Sequence, residues 1–222
     1  MIKNITNLGD TALYCDFGDE VNSEINSNVI SVFNILKDEK IEGIVNLAPS
    51  YNKLIVSFDL DVINYQKVRD LIKNLEIKKK IEIENKTIEI PICLDNKFQL
   101  DLKRLEEITK MSTSEIYKIF FSKKYFCYMT GFIAGMPFMG DVDIRLQSKR
   151  LETPRIKVPK GSIGITEKFC NIYTFESPGG WNIIGNTPIE IFNKNKQKQP
   201  VLINPGNKVK FYEISKTEYD KY

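Results

Sequence analysis

From Tyr125 onward, glycine or proline interrupts the apolar residues every few positions. This punctuation constrains the chain more than any other feature. It leaves room for short strands joined by turns, not for long buried helices. Residues 158–165, 171–175, 181–184, 189–192 and 208–214 read as strands. Many short strands separated by turn chemistry predict a closed or nearly closed β-barrel.

The part before this has a different texture. Residues 11–17 read as a strand. Asn22 or Ser23 is placed to cap a helix whose Ile25, Val29, Val32, Phe33 and Leu36 recur at three- and four-residue spacing. Strands are expected at 43–47 and 54–58, with a connection over 48–52. A second helix carries Tyr65, Val68, Leu71, Ile72 and Leu75. Residues 77–83 alternate apolar and charged side chains, as a half-exposed strand does. The sum is one sheet with two helices on one face. A second unit begins with a strand at 87–93, in which Pro91 implies an edge or a bulge. Two short helices follow at 102–109 and 114–121, with Asp101 and Thr113 as candidate caps. The expected fold is therefore α+β, a small α/β sandwich over 1–84 followed by a β-barrel over 85–222.

Composition narrows the chemistry. The 222 residues contain no histidine. That removes Ser-His-Asp and Cys-His catalysis, histidine-ligated metals and imidazole acid–base steps. Cys15, Cys93, Cys127 and Cys170 lie far apart among apolar neighbours, with no CxxC pair, and read as buried reduced thiols and not as a metal site. The net charge is +3, and the lysine runs interleave with Asn, Gln and Glu. That pattern argues against a nucleic-acid face. No long apolar run or signal-peptide core is present, so the expectation is a cytoplasmic protein with no membrane contact.

Three segments carry the candidate site. The first, 131–140, reads GFIAGMPFMG: glycine and proline among large apolar residues, including Phe132, Gly135, Pro137 and Phe138. Such a loop exposes backbone N–H groups beside an apolar wall, or forms a tight barrel corner. The second, ETPRIKVPKGSIGI over 152–165, spaces Arg155 and Lys157 to share one strand face. Two cations there suit a carboxylate or phosphate, and equally an exposed barrel wall. The third, ESPGGWNIIGNTP over 176–188, holds Glu176, Ser177, Gly179, Gly180 and the single tryptophan, Trp181. Its Ser-Pro-Gly-Gly is a turn whose bare backbone admits close approach. Trp181 suits a stacking surface, a partner anchor or a core filler.

Together, in order and spacing, these segments resemble GFxPGFPYLG, ATPRxxVPAGSVGI and ESPGGWxIIGRTP. Those patterns belong to the KipI-like family that includes the B subunit of 5-oxoprolinase, also called allophanate hydrolase subunit 1. GDTAL at 9–13, PSYNKL at 49–54 and LINPGNKVKF at 202–211 resemble further signatures, so the likeness covers nearly the whole chain. It implies an amino-terminal α/β domain and a carboxy-terminal cyclophilin-like barrel. It also implies an ATP-dependent 5-oxoprolinase complex that opens 5-oxo-L-proline to L-glutamate. The implied partners are a KipA-like protein (the C subunit) and a LamB/YcsF-like protein (the A subunit). Related domains occur in urea carboxylase, and one relative inhibits a sporulation histidine kinase. No GxxxxGK[ST] pattern is present, so the expectation is that this chain alone binds no cofactor and that the complex uses ATP. The chain departs from the patterns at Phe120 and Lys123, where a histidine and a proline are usual. It also departs at Ala134 for proline, Phe138 for tyrosine and Asn186 for arginine.

Overall fold

The computed structural model describes residues 2–75 and 86–222. The chain divides into two compact units, Met1–Glu84 and Asn85–Tyr222. The strand expected at 77–83 lies outside the described residues.

The first unit runs β1 (Asn4–Asn7), β2 (Ala12–Asp16), α1 (Ser23–Glu39), β3 (Ile44–Pro49), β4 (Lys53–Phe58) and α2 (Tyr65–Lys73). The sheet is antiparallel in the order β1-β2-β4-β3. Asn22 caps α1 by accepting from the Ile25 N–H at 2.9 Å, and Asn64 caps α2 from Lys67 at 3.0 Å. Val29, Val32 and Leu36 of α1 and Val68 and Ile72 of α2 join one buried cluster with Leu13, Cys15, Leu54, Val56 and Phe58. Both helices therefore cover the same face of the sheet. Strand β1 gave no periodic signal because only Ile5 of its four residues is buried.

The second unit contains β5 (Thr87–Cys93), α3 (Leu102–Thr109), α4 (Thr113–Ser122), β6 (Tyr125–Thr130) and β7 (Pro137–Gly140). Then come β8 (Arg155–Val158), β9 (Ser162–Thr166), β10 (Phe169–Ile172), β11 (Ser177–Gly179), β12 (Asn182–Asn186), β13 (Lys208–Ile214) and the short α5 (Lys216–Tyr219). Seven strands close a barrel in the order β10-β7-β6-β13-β5-β12-β9, and β8 and β11 pair separately. Strand β5 runs parallel to β13 throughout, while its described pairing with β12 is the one step Asn186↔Cys93. Pro91 is thus tolerated in a barrel strand because little pairing on the β12 side requires its missing N–H.

The barrel is filled by residues such as Ile90, Ile92, Met139, Ile163, Ile165, Ile172 and Phe211, with Leu105, Ile116 and Phe120 of the two helices in the same cluster. Phe120 is fully buried, with ring centroids 5.1 Å from both Tyr125 and Phe211. The position where the family pattern carries histidine is here a core position.

Several local expectations change. The cap of α4 is Ser112, in a capping box with Glu115, and the Thr113 hydroxyl instead donates to Glu106. Residues 158–165 are split by a turn into β8 and β9. The strand expected at 171–175 is shifted to Phe169–Ile172. Residues 189–192 contribute only an isolated Phe192↔Val201 bridge. The Ser-Pro-Gly segment, read as a turn, is the strand β11 on β8. Cys15, Cys93, Cys127 and Cys170 are all free and buried, and burial pushes the Cys15 thiol up to about 12.

Candidate functional site

The site is built on the β6–β7 hairpin and the β8–β11 pair. In the hairpin turn, the Gly131 N–H donates to the Met136 carbonyl at 3.0 Å, and Thr174 Oγ1 donates to the Ala134 carbonyl at 2.8 Å. Phe132 stands at the tip, 69% exposed, with φ of +66°. A phenyl side chain in the left-handed region is strained. Gly135 also has positive φ, and a Cβ there would come within 2.6 Å of the Phe192 ring. Two requirements, conformation and clearance, thus fall on one glycine. Pro137 is buried and Phe138 half-buried. Phe138 meets Trp181 edge-on, with centroids 5.6 Å apart and planes at 78°. Behind them lies a small apolar cluster of Met136, Val158, Tyr173 and Ile183.

Strand β11 brings the Ser-Pro-Gly-Gly backbone against β8, pairing Ser177 with Val158 and Gly179 with Arg155. Gly179 lies directly over the Tyr173 side chain. A Cβ at that position would overlap the hydroxyl and come within 2.8 Å of Cζ. Burial pushes the Tyr173 hydroxyl above its ordinary pKa, and the Asn171 side chain and the Trp181 N–H oppose that shift. Among the described residues, Ser177 Oγ is buried with no hydrogen-bond partner.

The two cations expected to share a face go to different carboxylates. Arg155 donates Nη1 to Asp101 Oδ2 at 2.9 Å and Nη2 to Oδ1 at 2.6 Å. The Asp101 carboxylate also accepts the Ile183 N–H at 2.7 Å, and the Asp101 N–H returns to the Ile183 carbonyl at 3.0 Å. The Asp101 side chain is 4% exposed and that of Arg155 29%. Asp101, expected to cap α3, makes no side-chain cap bond there. Its carboxylate is committed to fastening β8 and β12 together. Arg155 is therefore a paired structural cation and not a free donor for a bound anion. Lys157 meets Glu176 at 3.2 Å, with both side chains more than half exposed, so the pair contributes little, at most about 1 kcal/mol.

Asn186, at the family arginine position, is 2% exposed. Its Nδ2 donates to the Lys160 carbonyl at 2.9 Å, and its Oδ1 accepts from the Tyr219 hydroxyl at 2.7 Å. It ties a turn to α5. Sequence reasoning missed Tyr173, whose strand neighbours gave no signal of a hydroxyl under a glycine, and gave Asp101 only a capping role. It also missed Arg150, whose guanidinium lies beside Gly180. Among the described residues, no three His, Cys, Asp or Glu gather as a metal site, and no helix is long and apolar enough to cross a membrane.

This is a two-unit α+β protein whose barrel unit carries a candidate site lined by backbone and aromatic side chains. The chain belongs to the family described as carboxyltransferase domain, subdomain C and D, whose model matches residues 3–203. It is 31% identical to the B subunit of 5-oxoprolinase from Bacillus subtilis (strain 168), over 98% of this chain and 95% of that protein. Among solved structures, TTHA0988 superposes with a TM-score of 0.82 at 26% identity, covering 91% of this chain. The chain spans 40% of the length of TTHA0988. A conserved uncharacterized protein from Pyrococcus horikoshii is 37% identical, with a TM-score of 0.58, covering 97% of this chain and all of that one.

Proposed function

We propose that this chain is the B subunit of a cytoplasmic, ATP-dependent 5-oxoprolinase. With its KipA-like and LamB/YcsF-like partners it would open 5-oxo-L-proline to L-glutamate. The observation that carries this reading is the end-to-end match, at 31% identity, to the Bacillus subtilis protein of that name.

Lactam opening requires an electrophilic carbonyl. Transfer of the ATP γ-phosphoryl group to the lactam oxygen releases ADP and supplies that activation. Water then adds to the carbon, the ring C–N bond breaks, and the nitrogen takes up a proton. A second water releases phosphate, leaving glutamate. Charge develops on oxygen along this path, and N–H donors and cations stabilise it. The Gly135 loop and the Gly179–Gly180 backbone are the candidate donors on this chain, beside the wall formed by Phe138 and Trp181. With no histidine in the chain, any imidazole proton transfer falls to the partner proteins.

The reconstituted complex is expected to form glutamate from 5-oxoproline only with ATP and all three proteins. Glutamate formation by the purified chain alone would refute this division of labour. A second reading, a KipI-like inhibitor of a histidine kinase, draws on the exposed Phe132 at the hairpin tip. Copurification with the KipA-like partner and no effect on kinase autophosphorylation would eliminate it.

A further inference from the structure

We propose that Arg150 is the anion anchor of this site, gripping the carboxylate of a small substrate beside the Gly180 backbone. The inference rests on the substrate-binding reading given above. Arg155 is bidentate to Asp101, Lys157 meets Glu176, and Arg145 meets Asp143. Arg150 makes no ion pair or side-chain hydrogen bond among the described residues.

Arg150 is exposed, but the backbone that carries it is held. The Leu151 N–H donates to the Gly180 carbonyl at 2.7 Å, and the Glu167 N–H donates to the Ser148 carbonyl at 2.7 Å. The Lys149 carbonyl accepts from Asn182 Nδ2 at 3.1 Å. Arg150 thus sits on a segment fastened to the β11–β12 connection, the β9–β10 turn and barrel strand β12. Its guanidinium lies over Gly180, with Nε and Nη2 each 3.3 Å from where a Cβ would stand. A second guanidinium approaches the same segment. Arg104 Nη1 bonds Asn182 Oδ1 and the Lys149 carbonyl, both neutral acceptors. Two guanidinium groups that make no ion pair among the described residues, one of them beside a bare backbone, suit a planar oxyanion held by a guanidinium fork. Trp181 follows Gly180 in the chain and, as the single tryptophan, reports occupancy.

The test is a Trp181 fluorescence titration of the full chain with 5-oxoproline, with 2-pyrrolidinone (the same ring without the carboxylate) and with inorganic phosphate. Wild-type protein is expected to prefer 5-oxoproline to 2-pyrrolidinone. Arg150→Gln is expected to weaken 5-oxoproline binding by about tenfold or more while leaving 2-pyrrolidinone unchanged. Arg150→Lys, which keeps the charge but loses the fork, is expected to recover part of the loss. Circular dichroism of each variant separates loss of the anchor from loss of the fold. Arg150-dependent binding of phosphate without 5-oxoproline binding would support the anchor and refute the 5-oxoproline reading. Equal binding of 5-oxoproline by wild type and Arg150→Gln, or no binding of either anion by wild type, would overturn the proposal.

Discussion

Replacing Asp101 with alanine removes one carboxylate and abandons three donors. Two belong to the Arg155 guanidinium, at 2.9 and 2.6 Å, and the third is the Ile183 N–H at 2.7 Å. Ile183 is buried, so water does not replace the acceptor for its N–H, and a buried donor without a partner costs about 1–3 kcal/mol. The abandoned arginine is itself largely covered. Breaking a buried ion pair from one side costs about 3–5 kcal/mol, most of it for the charge left behind. That range is the expected destabilisation of the barrel unit, and it corresponds to a fall in its melting temperature of about 10–20 °C. The assay is urea and thermal unfolding followed by Trp181 fluorescence, which reads the barrel unit alone. Arg155→Ala is expected to cost nearly as much, because it leaves the Asp101 carboxylate buried with only the Ile183 N–H. The double variant Asp101→Ala, Arg155→Ala is expected to be less damaged than the sum of the two, since no uncompensated charge remains. Costs below about 0.5 kcal/mol for either single variant, the range of ordinary surface changes, would refute the reasoning.

Gly179→Ala forces a methyl group into the Tyr173 hydroxyl and should destabilise the barrel by about 1–3 kcal/mol, with Tyr173→Phe relieving part of this in the double variant. Additive losses in a thermal melt would contradict the contact. Phe132→Gly should raise stability by about 1 kcal/mol, because it relieves a positive φ at a residue that is 69% exposed. The same variant tests partner docking in a pull-down with the KipA-like protein. The Asp16 carboxyl is held below its usual pKa, chiefly by the hydrogen bond from Lys53. A depressed folded pKa contributes stability above the unfolded value near 3.9 that is lost as pH falls through the folded one. Asp16→Asn should therefore flatten the acid limb of the amino-terminal unit's stability profile below about pH 4, and an unchanged limb would exclude this contribution.

Most helices were legible because their information is local. Asn22 caps the helix that follows it, and the Val29, Val32 and Leu36 stripe is the buried one. Strand β13 was equally clear, since Val209 and Phe211 recur at period two within one uninterrupted run. Strand β1 escaped because one buried side chain in four residues makes no period. Strand β11 escaped because its pairing with β8 is long-range and its Ser-Pro-Gly composition speaks for a turn.

In the site, the residue types and their order were readable, and so was the family they resemble. The chain alone determined that histidine chemistry is absent, that the thiols lie in apolar runs, and that a glycine-rich backbone flanks the single tryptophan. Only the tertiary structure decided which charges are free. Arg155 and Asp101 are 54 positions apart in the chain, and folding of the second unit brings them to hydrogen-bonding distance. Their pairing turns the most conspicuous cation of the motif into a structural fastening and leaves Arg150, unremarkable in the sequence, beside Gly180. Charge is a local property of a residue, but its availability depends on what the fold sets against it.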